Sequence, residues 1–262
     1  SKIDKDNTSP QIKAIEKAFK DNKLKDKETD EMQFGVALQS KIEEEEHPHT
    51  PLNLRTSLFK DYAYGLAYKS KNEWIMSPTL RGKRLEADRK GENIPLPERA
   101  LPSVKYGTYN ERCGIAKWML VNQQPCLYYC DNQNNWTIQD WMNTKTTPFI
   151  SLSCTPDGMT MDKKGLIEIK CSSQGNHTYD EFPKQYLPQI AGQIMVLKMA
   201  EPDLPLEYVD LVNWTPKHTK IWRYTRDVEY EKNLIVNLDD YSEALLGKIE
   251  LPTKPIVYKG NM

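Results

Sequence analysis

The segment Gly165-Leu166-Ile167-Glu168-Ile169-Lys170-Cys171 constrains the fold more than any other part of the chain. Its apolar residues and two-residue alternation read as a buried strand, yet Glu168 and Lys170 interrupt it on one face. Charged side chains rarely enter such a strand without partners or a chemical task. Upstream runs Thr155-Pro156-Asp157-Gly158-Met159-Thr160, and Asp162 to Gly165 has turn composition. An antiparallel hairpin is therefore predicted. With Lys163 and Lys164 as central turn residues, Asp157 falls opposite Lys170 and Met159 opposite Glu168. Asp157, Glu168 and Lys170 then share a face, the two carboxylates roughly 6–8 Å apart. A slip of one residue would scatter them.

Two acids and a lysine on one face outline a hydrolytic metal site. Phosphodiester hydrolysis needs charge neutralisation at the phosphate and a deprotonated water, and Mg²⁺ or Mn²⁺ held by carboxylates supplies both. A neighbouring lysine can orient or deprotonate the nucleophile, or stabilise developing negative charge. The acid-x-Lys pattern by itself is common: Asp21-Asn22-Lys23 and Asp162-Lys163-Lys164 read as solvated turns. The apolar setting of Glu168-Ile169-Lys170 sets it apart. The competing reading is a structural cross-strand ion pair between Asp157 and Lys170.

Around this hairpin the chain reads as helices, then strands, then mixed. Ile12, Ile15 and Phe19 have helical spacing, as do Leu58, Tyr62 and Leu66 and the stretch Glu111 to Leu120. The region from Pro78 to Pro102 is rich in Gly, Pro and charge and is predicted to be a long loop. Strands are expected at Leu127 to Cys130, Phe149 to Cys154, Gly165 to Cys171, Glu207 to Trp214 and Lys220 to Tyr224. A helix from about Pro183 to Met199 separates two of them, and Asp227 to Gly247 is amphipathic. The order implies an α/β (α+β mixed) single domain.

At 262 residues the chain can bury a substantial core, and 38% hydrophobic with 28% charged residues is ordinary for a soluble protein. No apolar run is long enough to span a membrane, and no signal-peptide pattern opens the sequence. Five cysteines without framework spacing imply reduced thiols in a reducing, intracellular compartment. Cys126 and Cys130 could join a zinc site, but no second ligand pair follows at finger spacing, so core packing is expected. A net charge of −1 argues against nucleic-acid binding, although its distribution is uneven. Glu43 to Glu46 form an acidic block, and Arg81, Lys83, Arg84, Arg89 and Lys90 a basic one. Such a basic block serves a DNA channel or a solvated face equally well. The six tryptophans, Trp118, Trp136 and Trp141 among them, are expected in the core rather than stacked on bases.

Four motifs in order carry a family resemblance. Thr155-Pro156-Asp157-Gly158 and Glu168-Ile169-Lys170-Cys171 resemble the PD-(D/E)XK nuclease motif as it occurs in the bacteriophage lambda exonuclease group, the YqaJ-type viral recombinases. Tyr106-Gly107-Thr108-Tyr109-Asn110-Glu111 resembles that group's aromatic-Gly-x-x-x-Glu motif, and Tyr186-Leu187-Pro188-Gln189 its Tyr-x-x-Gln helix start.

The resemblance implies a restriction-endonuclease-like core, a central mixed sheet flanked by helices, in one domain over 1–262. By helical spacing, and outside the resemblance, which does not reach the first hundred residues or the tail after Thr225, a mainly helical part fills 1–100 and a C-terminal helix and tail 226–262, on either side of the catalytic core at 101–225. Glu111, Asp157 and Glu168 would ligate two Mg²⁺ or Mn²⁺ ions, with the Ile169 carbonyl as an extra oxygen. Lys170 would assist the nucleophile, and Gln189 and Tyr186 would order the water at the substrate. The family's Gln-x-Gln is broken by Ala191, with Gln193 as the substitute. Its 5′-phosphate pocket is matched only by Arg55-Thr56-Ser57, which points to Arg55 and Ser57. The implied activity is 5′-to-3′ degradation of one strand of linear double-stranded DNA in recombination or DNA processing. A single-strand annealing partner and a homotrimer accompany that activity in the family. The alternatives are an endonuclease or structure-specific nuclease on the same fold, and an inactive DNA-binding module.

Overall fold

In the computed structural model, the described residues are 53–64, 66–70, 73–76, 78–92, 94–96, 98–129, 136–138, 150–172 and 178–251. In chain order they form β1 (Asn53–Arg55), β2 (Leu66–Ser70), β3 (Glu73–Met76), α1 (Pro78–Lys90), α2 (Leu101–Asn122), β4 (Cys126–Tyr128), β5 (Trp136–Ile138) and β6 (Ser151–Cys154). There follow β7 (Gly158–Thr160), β8 (Gly165–Cys171), α3 (Leu187–Ala200), β9 (Tyr208–Trp214), β10 (Thr219–Thr225) and α4 (Val228–Leu245). The expected helix at Ile12 to Phe19, the acidic block at Glu43 to Glu46, Cys130 and Trp141 lie outside the described residues.

The central sheet has strand order β10-β9-β8-β7-β4. It is mixed: β8 and β9 run parallel, joined by a crossover through α3, and the other pairs are antiparallel. A second sheet, β1-β6-β5, pairs β1 parallel to β6.

The alternation in β8 sorts its side chains to two layers. Leu166 joins Val209, Leu211, Ile190, Ile194, Leu234 and Leu238 in one core under α3 and α4. Ile167 and Ile169 join Cys113, Ile115, Trp118, Val212 and Trp214 in the other, under α2. Helix α3 is apolar nearly all round because it is buried on every side, Leu187 to Leu197 without a break. Trp118 is in the core, as expected. The four described cysteines, Cys113, Cys126, Cys154 and Cys171, are unbridged. No described helix is long and apolar enough to cross a membrane.

The structure departs from the sequence reading at two places. The supposed loop from Pro78 contains α1, with proline in its first turn and Gly91 (φ 68°) after its last. Gly91 N–H donates to Asp88 O and Glu92 N–H to Ala87 O, the paired bonds of a glycine-terminated helix. Its basic residues are largely structural. Arg81 is buried and donates to the carbonyls of Tyr62 and Asn237, Arg84 pairs with Asp61, and Arg89 reaches Ala244 O. Second, the helical spacing through Leu66 breaks up. A 3-10 turn (Thr56–Leu58) and a π-type turn (Lys60–Tyr64) precede Leu66, which starts a strand.

Candidate active site

The hairpin forms, with a register two residues away from the predicted one. Met159 pairs with Leu166 and Gly158 with Ile167. The reason lies in the turn, which is longer than two residues. Thr160 O accepts from Lys163 N–H at 2.9 Å, Thr160 Oγ1 donates to Asp162 Oδ1 at 2.6 Å, and Gly165 N–H donates to Thr160 Oγ1 at 2.9 Å. Lys163 takes the left-handed conformation (φ 60°) that closes it. A shift of two preserves the face of every side chain, so Asp157, Glu168 and Lys170 still converge.

Each of the three is held in place. Asp157 sits one residue before β7, where its carbonyl accepts from Tyr129 N–H at 2.9 Å and its Oδ2 from Ile169 N–H at 2.6 Å. Glu168 is buried, and its carboxylate receives three donors: Lys170 Nζ (2.7 Å) and Gln189 Nε2 (2.7 Å) on Oε1, Gln193 Nε2 (2.6 Å) on Oε2. Lys170 Nζ also lies 4.9 Å from the centroid of the Tyr186 ring. Gln189 and Gln193 are four residues apart on α3 and so share a face, which residue 191 would not.

Glu111 arrives from the opposite layer. Helix α2 packs so closely on β8 that a side-chain carbon at Gly114 would collide with Ile169. Trp118 Nε1 donates to buried Asp210 Oδ2 at 2.9 Å, and Arg223 grips both oxygens of Asp210 at 2.8 and 2.9 Å. These contacts fix the helix, and one turn before Gly114 it delivers Glu111 to a cleft of about 680 Å³. Asp157, Glu168, Ile169, Lys170 and Tyr186 line the same cleft. It opens at the carboxyl end of β8, the usual place for ligands in open α/β sheets.

The cleft is electrostatically loaded. Burial and the charges of Glu168 and Glu111 push the Asp157 carboxyl well above the ordinary carboxylate range, against the opposing pull of Lys170 and the Ile169 N–H. Burial alone would lower Lys170, but Glu168, Tyr186 and Asp157 outweigh it and hold the ammonium above its ordinary value. Three carboxylates face one lysine. An all-oxygen donor set with surplus negative charge fits a hard divalent cation. Among the described residues no three His, Cys, Asp or Glu side chains are closed into a ready-made ligand set. The bonds from Lys170 and the glutamines to Glu168, and from Ile169 to Asp157, hold these two carboxylates in their present positions.

The remaining predicted residues fall in different places. Gln193, expected at the substrate, is wholly buried behind Glu168 and positions that carboxylate. Gln189 does the same rather than lining the cleft. Arg55 ends β1 beside Ser153 of β6, and Ser57 is exposed in the turn that follows; neither lines the cleft.

Asn213 was missed. It is buried in β9, donates to Lys170 O (3.0 Å) and Ser172 Oγ (2.9 Å), and accepts from Tyr179 N–H (2.9 Å). It thereby ties the end of β8 to the segment carrying Tyr179 and Tyr186. A polar residue inside Val209 to Trp214 is the same signal that singled out Glu168.

No family model matches the sequence, and no curated protein does. Among solved structures the chain is similar to the alkaline exonuclease LHK-Exo from Laribacter hongkongensis. The TM-score is 0.52 at 16% identity, covering 76% of this chain and 90% of that one. A phage-related exonuclease from Haemophilus somnus 129PT has a TM-score of 0.46 at 13% identity, covering 75% of this chain and 96% of that one. The likeness to LHK-Exo establishes the fold: a mixed α/β domain of the type seen in that exonuclease, with a central sheet flanked by helices.

Proposed function

We propose that the chain is a divalent-metal-dependent deoxyribonuclease that degrades one strand of linear double-stranded DNA from its 5′ end. One observation carries this reading: Glu111, from a separate helix, reaches the cleft that holds Asp157, Glu168 and Lys170. The ordered motifs of the sequence and the fold shared with LHK-Exo support it.

Glu111, Asp157, Glu168 and the Ile169 carbonyl would be the oxygen donors for Mg²⁺ or Mn²⁺. When bound, such an ion supplies charge neutralisation at the phosphate and lowers the pKa of a coordinated water. The chain's own residues do the rest. Lys170, held as a cation, stabilises negative charge developing on the phosphate and orients the attacking water rather than removing its proton. Gln189 and Gln193 keep the Glu168 carboxylate aimed into the cleft. The Tyr186 ring limits the directions Lys170 can take.

The test is digestion of a 5′-labelled linear duplex beside a closed circle, each with Mg²⁺ or with EDTA. Release of mononucleotides from the linear duplex alone, and only with Mg²⁺, is expected. Nicking of the circle would make the chain an endonuclease, and binding without product an inactive module.

A further inference from the structure

Helix α2 holds two glycines, and packing explains only one of them. Gly114 is required because Ile169 occupies the space a side chain would need. Gly107 has no such neighbour: a carbon added to it would meet nothing within 4 Å. Glycine is among the least favourable residues in a helix interior, and packing supplies no reason for Gly107. Its position supplies one. Gly107 lines the cleft one helical turn before Glu111, on the stretch of α2 that leads to the carboxylates.

Building on the nuclease reading above, we infer that the sugar–phosphate backbone of the strand being cut crosses α2 at Gly107, where the missing side chain lets it approach the helix. The chemistry of the wall favours backbone over base. Beside Gly107 the cleft presents the small hydroxyl side chains of Ser103 and Thr108, a residue type that contacts phosphate and sugar oxygens; the Thr108 hydroxyl donates to Val104 O at 3.2 Å and would turn from it to do so. The aromatic surface lies elsewhere in the lining, at Tyr179 and Tyr186, whose rings meet edge-on at 6.3 Å. A strand with its backbone toward α2 turns its bases toward those rings. Such contacts are indifferent to sequence.

Helix α1 provides an internal control. Gly82 is also a helix glycine with nothing within 4 Å of an added carbon, but it is exposed and does not line the cleft. Gly82→Ala and Gly107→Ala should both leave Tm equal to or above that of the parent chain. Only Gly107→Ala should weaken DNA, raising KM in Mg²⁺ and the Kd of a fluorescent duplex in metal-free buffer several-fold, with Gly107→Val worse than Gly107→Ala. A Gly107→Ala chain with unchanged KM and Kd, made from a parent that cuts DNA, overturns this inference and leaves the nuclease reading standing. So does a loss of affinity accompanied by a fall in Tm, which would make Gly107 a packing residue. A parent chain that neither binds nor cuts linear duplex removes both.

Discussion

Asp157 is a site carboxyl whose ionisation its own surroundings oppose. Its carboxyl is held above the ordinary range by burial, Glu168 and Glu111, so ionising it opposes the fold. A carboxyl raised in the folded state contributes stability that is full below its unfolded value and is lost as pH rises through the folded one. Without metal, the protein should therefore lose stability from the ordinary carboxylate range upward. Asp157→Asn keeps an oxygen for the Ile169 N–H and removes the charge. It should raise the metal-free Tm at pH 7, by roughly 2–4 °C if about 1 kcal/mol is recovered, while abolishing DNA cleavage. Thermal melts from pH 4 to 8 check this, and a variant less stable than the parent at pH 7 would contradict it. Gln193 tests positioning. Gln193→Ala leaves one oxygen of Glu168 without its donor while Lys170 and Gln189 still hold the other, and a carboxylate less tightly aimed should lower kcat about tenfold with KM little changed, since a lost transition-state interaction of 1.4 kcal/mol is a factor of ten. A rise in KM alone would instead place Gln193 at the substrate.

At the scale of elements, the contact of α2 with β8 decides whether Glu111 reaches the cleft. Gly114→Ala should drive the helix from Ile169, with a loss of about 1–3 kcal/mol in stability for the overpacking and a weaker response to Mg²⁺. Ile169→Ala in the same chain reopens the space, so the double variant should recover part of both effects. Additive losses, measured by denaturant unfolding and Mg²⁺ titration of activity, would show that the two elements are not coupled through this contact. The elements also show what could be read in advance. Strand β8 was legible because its alternation and its two charges are both local. The faces of the hairpin were legible too, but its exact pairing was not, because Thr160 and Asp162 build a longer turn than composition suggests. Helix α1 was hidden by its charge: Arg81, Arg84 and Arg89 resemble a solvated loop, and only tertiary partners on Tyr62, Asp61 and Ala244 explain them. Arg55 and Ser57 followed a motif whose spacing had already drifted, and they do not line the cleft.

In the molecule as a whole, two hydrophobic layers on opposite faces of one sheet each deliver part of the site. The layer under α3 brings Gln189 and Gln193 to Glu168, and the layer under α2 brings Glu111. That meeting was legible from motif order, whereas its supports were not. Asn213, Asp210 and Gly114 act through partners 43, 92 and about 55 residues away in the chain, distances at which periodicity carries no signal. The two layers form one active centre only if the helix-borne acid is as necessary as the hairpin acids. The direct measurement is mononucleotide release from a 5′-labelled linear duplex in Mg²⁺ by the Glu111→Gln chain, alongside Asp157→Asn and the parent. The parent should release nucleotides, and both variants, folded by circular dichroism, should fall to background. A Glu111→Gln chain that digests the duplex at the parent's rate would show that α2 contributes no ligand, and the site as described would be wrong.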